Sequence, residues 1–194
     1  MSQTKFDIAS GALTRLGGNT IQDFSEDSHE ATVVANIYDS LFEQALTEYN
    51  WNFAKKNTQL SKTTSTPVDP NWSYEYALPS DYLRAVQVMN TAGGGLTYAS
   101  DYSIEQQFVY ANQDGLLMKY LYKPDESNLP PWFVYYFQSA LAYHICEPIT
   151  GVGSTKEVLW RELDDYRRKA TVQDKLENPA QSAFPISSLI LARR

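Results

Sequence analysis

Carboxylates are the first residues in this sequence whose type could support chemistry. Glu43, Glu48, Asp81 and Asp101 could be paired on paper as the acid and base of a two-carboxylate glycoside hydrolase. Helical spacing offers a simpler account, with Glu43 and Glu48 on the wet face of a helix and Asp81 following Pro79-Ser80 as a turn residue. His144 and Cys146 lie two residues apart, which on a helix sends them to different faces, so a Cys–His nucleophile pair is not expected within that element. Core packing is the expectation for both. One cysteine and two histidines, His29 and His144, cannot make a four-ligand Cys/His zinc set. Gly93-Gly94-Gly95 lacks the Lys-Ser/Thr and helix of a phosphate-binding loop and reads as a hairpin tip. These residues call for no cofactor and no metal, and the expectation is a protein that is not an enzyme.

The elements that would position such side chains follow from periodicity. Phe6, Ala9, Leu13 and Leu16 recur at helical spacing from Thr4, and Gly17-Gly18 supplies a stop. Asp27-x-x-Glu30 resembles a capping box for a longer helix carried by Ala31, Val34, Ala35, Tyr38, Leu41, Phe42, Ala45, Leu46 and Tyr49. Beyond Lys56, prolines and alternating β-branched or aromatic segments predict strands over 58–62, 73–78, 84–89, 106–110 and 116–122, with 112–115 as a hairpin turn between the last two. Pro130-Pro131 opens a third helix, striped by Phe133, Val134, Phe137, Leu141, His144 and Ile145, which Pro148 is expected to end. Ser154-x-x-Glu157 caps a fourth, running through Leu159, Leu163, Tyr166 and Ala170 to about Lys175.

The fold class is therefore α+β. An antiparallel bundle of about four helices carries an inserted antiparallel β region and an extended C-terminal arm. The divisions are 1–56 for helices 1 and 2, 57–127 for the β-rich insertion, 128–176 for helices 3 and 4, and 177–194 for the arm. In the arm, Phe184, Ile186, Leu189, Ile190 and Leu191 would expose apolar surface if left in water, so it is expected to be tied down.

The balance of 16 Lys plus Arg against 23 Asp plus Glu gives −7, which argues against a chain that works by gripping phosphate backbones. Arg161, Arg167, Arg168 and Lys169 cluster, but Glu162, Asp164 and Asp165 interleave with them as on a solvated helix face. Arg193 and Arg194 close the sequence. No bridge can form within a chain that has one cysteine, the opening residues do not read as a signal peptide, and no apolar run is long enough to span a bilayer. The 14 tyrosines fit either a protein interface or a β-surface.

Three stretches carry a resemblance when taken in order. The first runs from Ile8 to Leu16-Gly17-Gly18 and Ile21. In the second, Leu46-Thr47-Glu48-Tyr49-Asn50 leads into Trp51-Asn52-Phe53-Ala54-Lys55-Lys56 and Leu60. The third is Trp72-Ser73-Tyr74-Glu75-Tyr76-Ala77-Leu78-Pro79-Ser80-Asp81-Tyr82-Leu83-Arg84. With the Pro130-Pro131-Trp132-Phe133 helix start and Leu141-Ala142, they resemble the tail tubular protein A and tail accessory factor family, the adaptors that join portal to tail in podovirus-type phages. The resemblance covers most of Thr4 to Ala170 and is weakest over 89–107 and beyond Leu176. Without any family, Trp51 and Phe53 are large apolar anchors for a helix-to-sheet junction, and Pro79 and Asp81 suit a turn that re-aims the chain.

The resemblance implies a structural head-to-tail adaptor in the virion tail, assembled in the host cytoplasm. It would be a homo-oligomeric ring, a dodecamer matching a twelve-fold portal, with the portal protein and a tail nozzle or tail tubular protein as partners. DNA would pass through its channel without specific binding, and no membrane is involved. The helices would form the ring wall through a heterologous interface to which Tyr38, Tyr135, Tyr136 and Tyr143 could contribute. The arm, through Phe184, Ile186, Leu189, Ile190 and Leu191, would dock on the portal or a neighbouring subunit. The alternatives are a cell-wall (peptidoglycan) hydrolase of the virion and an assembly chaperone absent from the particle.

Overall fold

The computed structural model describes residues 3–91, 97–99, 101–153 and 155–177. Helix α1, Lys5–Arg15, is closed at both ends by its own sequence. Thr4 and Asp7 form a reciprocal capping box: the Thr4 hydroxyl accepts from the Asp7 N–H and the Asp7 carboxylate accepts from the Thr4 N–H. At the other end Gly17 takes the left-handed conformation (φ 74°), letting the Gly18 N–H reach the Leu13 carbonyl at 3.0 Å. Helix α2 spans His29–Thr47 and is capped one residue later than expected, by Ser28, whose hydroxyl accepts from the Ala31 N–H at 3.1 Å. Glu30 does not close a capping box with Asp27 and instead accepts from Asn19 at 3.0 Å.

Helix α3, Pro131–Thr150, begins at the expected proline but does not stop at Pro148. That residue sits in the last turn, where its missing N–H removes a single ladder bond, and the helix runs on to a left-handed Gly151. The His29 ring donates to the Pro148 carbonyl at 3.0 Å, tying the start of α2 to the end of α3. Helix α4 covers Lys156–Glu177; the expected Ser154 cap lies outside the described residues.

Helix α3 is the axis of the bundle, and α1, α2 and α4 all pack on it. The core is a chain of aromatic contacts: Tyr38 meets Phe137 at 5.4 Å, Phe137 meets Phe42 at 5.1 Å, and Trp51 closes the base against Phe133 at 5.3 Å. Rings of this size bury the most apolar area per residue, so a few of them fill the centre of the bundle.

The β region consists of two sheets. Its strands are β1 Lys55–Gln59, β2 Ser61–Lys62, β3 Tyr74–Ala77, β4 Tyr82–Asn90, β5 Thr97–Tyr98, β6 Tyr102–Glu105, β7 Phe108–Ala111 and β8 Leu116–Tyr122. One sheet has the order β1-β8-β4-β5 and the other β2-β3-β7-β6, with every pairing antiparallel. The expected strand over 58–62 is two strands in two different sheets, broken at Leu60. Residues 112–115 are not a hairpin turn, because β7 and β8 belong to different sheets; they are the crossover between them. Tyr76 holds this crossover, its hydroxyl donating to the Gln113 carbonyl at 2.8 Å and accepting from the Gly115 N–H at 3.0 Å.

Tyr76, Val109 and Ala111 of one sheet and Val88, Leu116, Met118 and Tyr120 of the other form a common buried core. Strand β8 couples this core to the bundle. Alternate residues Leu116, Met118 and Tyr120 point between the sheets, whereas Leu121 joins the helical core. The overall architecture is α+β, with four helices flanking an antiparallel β region.

Candidate subunit interface

The helix-to-sheet junction is built where the sequence places its large anchors. Trp51 is fully buried; its indole N–H donates to the Ala45 carbonyl at 2.9 Å, and its ring lies 5.7 Å from Trp132 and 5.8 Å from Tyr136. Phe53 is half-buried against Phe133 at 4.8 Å. Asn52, between them, was missed by sequence reasoning. Its backbone N–H donates to the buried Asp174 carboxylate at 2.7 Å, and its side-chain amide donates to the same carboxylate at 3.0 Å and to the Asp174 carbonyl at 2.8 Å. Lys55 completes the cluster, donating to the Asn52 amide oxygen at 2.7 Å. Burial pushes the Asp174 carboxyl above its ordinary range and the Lys55 amine below its own. This clamp fastens the last turns of α4 to the start of β1, and Glu177 adds a bond by accepting from the Trp132 indole at 3.1 Å.

Pro79 and Asp81 lie in the turn from β3 to β4. Asp81 accepts from Lys56 at 2.6 Å and from the Tyr120 hydroxyl at 2.8 Å, binding β1, β8 and the turn together. The bond from Lys56 holds the Asp81 carboxyl below the usual carboxylate range.

The four tyrosines expected at a subunit interface divide into two pairs. Tyr38 and Tyr136 are not interface residues: they are 1% and 2% exposed and fill the chain's own core. Desolvation pushes both phenols far above their ordinary range, and Tyr136 donates to Glu48 at 2.6 Å. Tyr38 belongs to the apolar stripe of α2 that faces inward, and Tyr136 packs beside Phe133, so both rings are core residues and not available to the ring interface that the resemblance implies. Tyr135 is exposed and stacks on Tyr166, and Tyr143 is half-buried against Trp160 at 5.5 Å. The arm residues Phe184, Ile186, Leu189, Ile190 and Leu191 lie outside the described residues.

An apolar groove opens between α2 and α4, floored by α3. Leu41, Ala45, Ala140 and Leu163 line it, Tyr143 and Trp160 form one wall, and its volume is about 290 Å³. A second depression of about 460 Å³, bordered by Tyr49, Trp51 and Thr171, adjoins it and shares Glu48 and Arg167 with it. Trp160 at the groove wall is half exposed, and elsewhere on α4 Val158, Val172 and Leu176 are more than half exposed.

The hydrolase carboxylates are not brought together. Glu43 accepts from Lys123 at 3.1 Å, Glu48 accepts from Tyr136, Asp81 lies in the β region, and Asp101 is exposed at the start of β6. Asp164, at the groove rim with Glu48, is held below the carboxylate range by Arg167 and Arg168, opposite to the shift a general acid requires. His144 also corrects expectation. It is an exposed residue at the groove rim, not a core one, and partial desolvation together with the Lys156 ammonium lowers its pKa. Cys146 is buried, as expected. The basic cluster is a solvated face in which Arg161 pairs with Glu157, Arg167 and Arg168 with Asp164, and Lys169 with Asp165. Among the described residues no group of three His, Cys, Asp or Glu side chains is placed to hold a metal ion, and no helix is long and apolar enough to cross a membrane. Compared with known proteins, the chain matches no protein-family model and no curated relative.

Proposed function

We propose that this chain is a structural subunit of a ring, the head-to-tail adaptor between portal and tail of a short-tailed bacteriophage. The observation that carries the reading is the outer surface of α4, where Val158, Trp160, Val172 and Leu176 stand exposed on a helix that is otherwise strongly charged. Val172 and Leu176, four residues apart and so neighbours on the helix surface, leave an apolar pair in water that contact with another protein would cover, with Val158 and Trp160 exposed at the other end of the helix. The helices would form the ring wall, with α4 meeting a neighbour through a head-to-tail contact that closes when the rotation per subunit divides the circle. The net charge of −7 per subunit suits a channel that lets DNA pass without holding it. Residues 178–194 would complete the ring by docking on the portal or the next subunit.

The mass of the protein alone, and of the protein mixed with a portal ring, tests this reading. The expected outcome is a defined multiple of the subunit on the portal. Val172→Glu and Leu176→Glu should prevent that assembly while changing stability by no more than about 0.5 kcal/mol, as surface substitutions do. Portal mixtures that contain only unbound monomer would sink it.

A further inference from the structure

The groove between α2 and α4 is lined by Leu41, Ala45, Ala140 and Leu163 and by the rings of Tyr143 and Trp160, with Gln44, Glu48, His144, Asp164 and Arg167 among its polar lining, and no described segment of the chain covers it. Its volume of about 290 Å³ is at the small end for a ligand pocket and suits a few aliphatic side chains. The same chain carries an apolar segment with no described place in either core, 183–191, containing Phe184, Ile186, Leu189, Ile190 and Leu191. We propose that in the free subunit this segment of the chain occupies its own α2–α4 groove.

Reach supports the assignment. The described part of helix α4 runs to Glu177, beyond the Asn52–Asp174 clamp, so the last described residue lies past the Thr171 end of the two depressions. Thr171, at that near end, lies about 9 Å back along α4, and Trp160, at the far end, about 26 Å back, at 1.5 Å per residue. Extended chain covers at most about 25 Å from Glu177 to Phe184 and about 50 Å to Leu191. Reversed after Glu177, the segment can therefore lay its apolar residues along the groove without strain. Pro179 and Pro185 favour an extended path of this kind over continuation of α4. Tethering makes the encounter intramolecular, at an effective concentration of order millimolar, so the chain's own segment is favoured over a free partner of equal affinity at micromolar concentration. Partnering of the groove belongs to the isolated subunit and stands whether or not the ring does. If both hold, the portal acts by exchanging the segment from its own groove to a new seat.

Cross-linking the full chain tests the placement. Gln44, on the groove rim, is replaced by Cys together with Ile186, Leu189 or Leu191 in turn, and each double variant is mildly oxidised at micromolar concentration; the buried Cys146 is left in place. At least one pair should give a species with the mass of a single chain less two hydrogens. Adding Trp160→Glu should reduce its yield at least tenfold, and a control with Lys119→Cys on β8 in place of Gln44→Cys should give none. Linked dimers in place of linked monomers would assign the groove to a second copy and overturn the proposal, as would failure of all three pairs. Ring formation on the portal by the same variants in the reduced state is read separately, so loss of one result leaves the other standing.

Discussion

The helical bundle and the β-sandwich secure their interiors in different ways. The bundle relies on mass: Trp51, Tyr38, Phe42, Phe133, Tyr136 and Phe137 are all essentially fully buried, in contact with one another around α3. Among the described residues the sandwich core has eight buried side chains, with polar fastenings at its margins in the Tyr76 hydroxyl at the crossover and Asp81 at the β3–β4 turn. A small core between two sheets cannot by itself offset the entropy of ordering eight short strands, so the sandwich depends on β8, whose Leu121 is part of the bundle. The comparison teaches that the bundle is the independent unit and the sandwich is built on it.

The largest effect should come from the bundle. Trp51→Ala removes the ring that closes its base and should cost about 3–5 kcal/mol, as large aromatic truncations do. Thermal melting followed by both helical and sheet signals should show the two lost together. A variant that melts like the wild-type protein yet fails to assemble would instead make Trp51 a contact to a partner. Met118→Ala, at the centre of the sandwich core, should cost about 2–5 kcal/mol, toward the lower end because two sheets can close partly over the cavity. If the sandwich is the dependent unit, hydrogen exchange in β3, β6 and β7 should quicken while α3 stays protected. Equal quickening in α3 would mean a single cooperative unit and break the comparison.

The helices were largely legible in the sequence, and the reason lies in particular residues. Thr4, Asp7, Gly17 and Gly18 encode both ends of α1 locally, and the apolar stripes of α2 and α3 repeat over enough turns to be unambiguous. The tyrosines were harder to place: Tyr38 lies on the buried stripe of α2 and Tyr136 beside Phe133, but a tyrosine suits a core as well as an interface, and the expectation of a ring assigned both outward. In the β region the strands were partly legible and their pairing was not. Strands β6 and β7 are joined by Gln106-Gln107, with Gln106 at φ 55°, a turn without the Asn-Gly or Asp-Gly signature. The segment 112–115 has that kind of composition yet links two sheets. Of the candidate interface, Trp51 and Phe53 were visible as anchors; Asp174 was not, because its partner Asn52 is 122 residues away.

Asp174 joins the two regions, so its removal should matter less than either core but more than any surface pair. Asp174→Ala removes the carboxylate that accepts from the Asn52 N–H and from its side-chain amide, while the bond from that amide to the residue-174 carbonyl can remain, at a cost of about 1–3 kcal/mol in all. Its raised carboxyl gives a sign to the pH dependence: the stabilising contribution is present below the ordinary value of about 3.9 and is lost as pH rises through the folded value. The variant should lack this weak loss of stability on the rising side of the acid range. Urea unfolding at a series of pH values measures it, and an unchanged profile would show that the clamp does not join the regions.

The smallest effect is expected at Asp81, where the fastening is polar and partly exposed. Its carboxylate receives Lys56 and the Tyr120 hydroxyl, and the side chains of Lys56 and Asp81 are 46% and 35% exposed, so the ion pair is worth about 0–1 kcal/mol and should weaken in salt. The lowered carboxyl contributes stability that is present above about 3.9 and is lost as pH falls through its folded value. Tyr120 has the opposite sign. Burial, followed by the bond to Asp81, pushes its phenol up to about 12, so its contribution holds below the ordinary value of about 10 and is lost as pH rises through the folded one. Asp81→Asn keeps the shape of the turn while removing the charge, so the variant should be flatter on both limbs and nearly equal to the wild-type protein in high salt. The sheet signal should respond more than the helical one, because Asp81 holds β1 and β8 to the turn before β4. An acid limb in the variant that parallels the wild-type one at low salt would move the fastening of the sandwich away from Asp81 and back to Tyr76 and the shared strand β8.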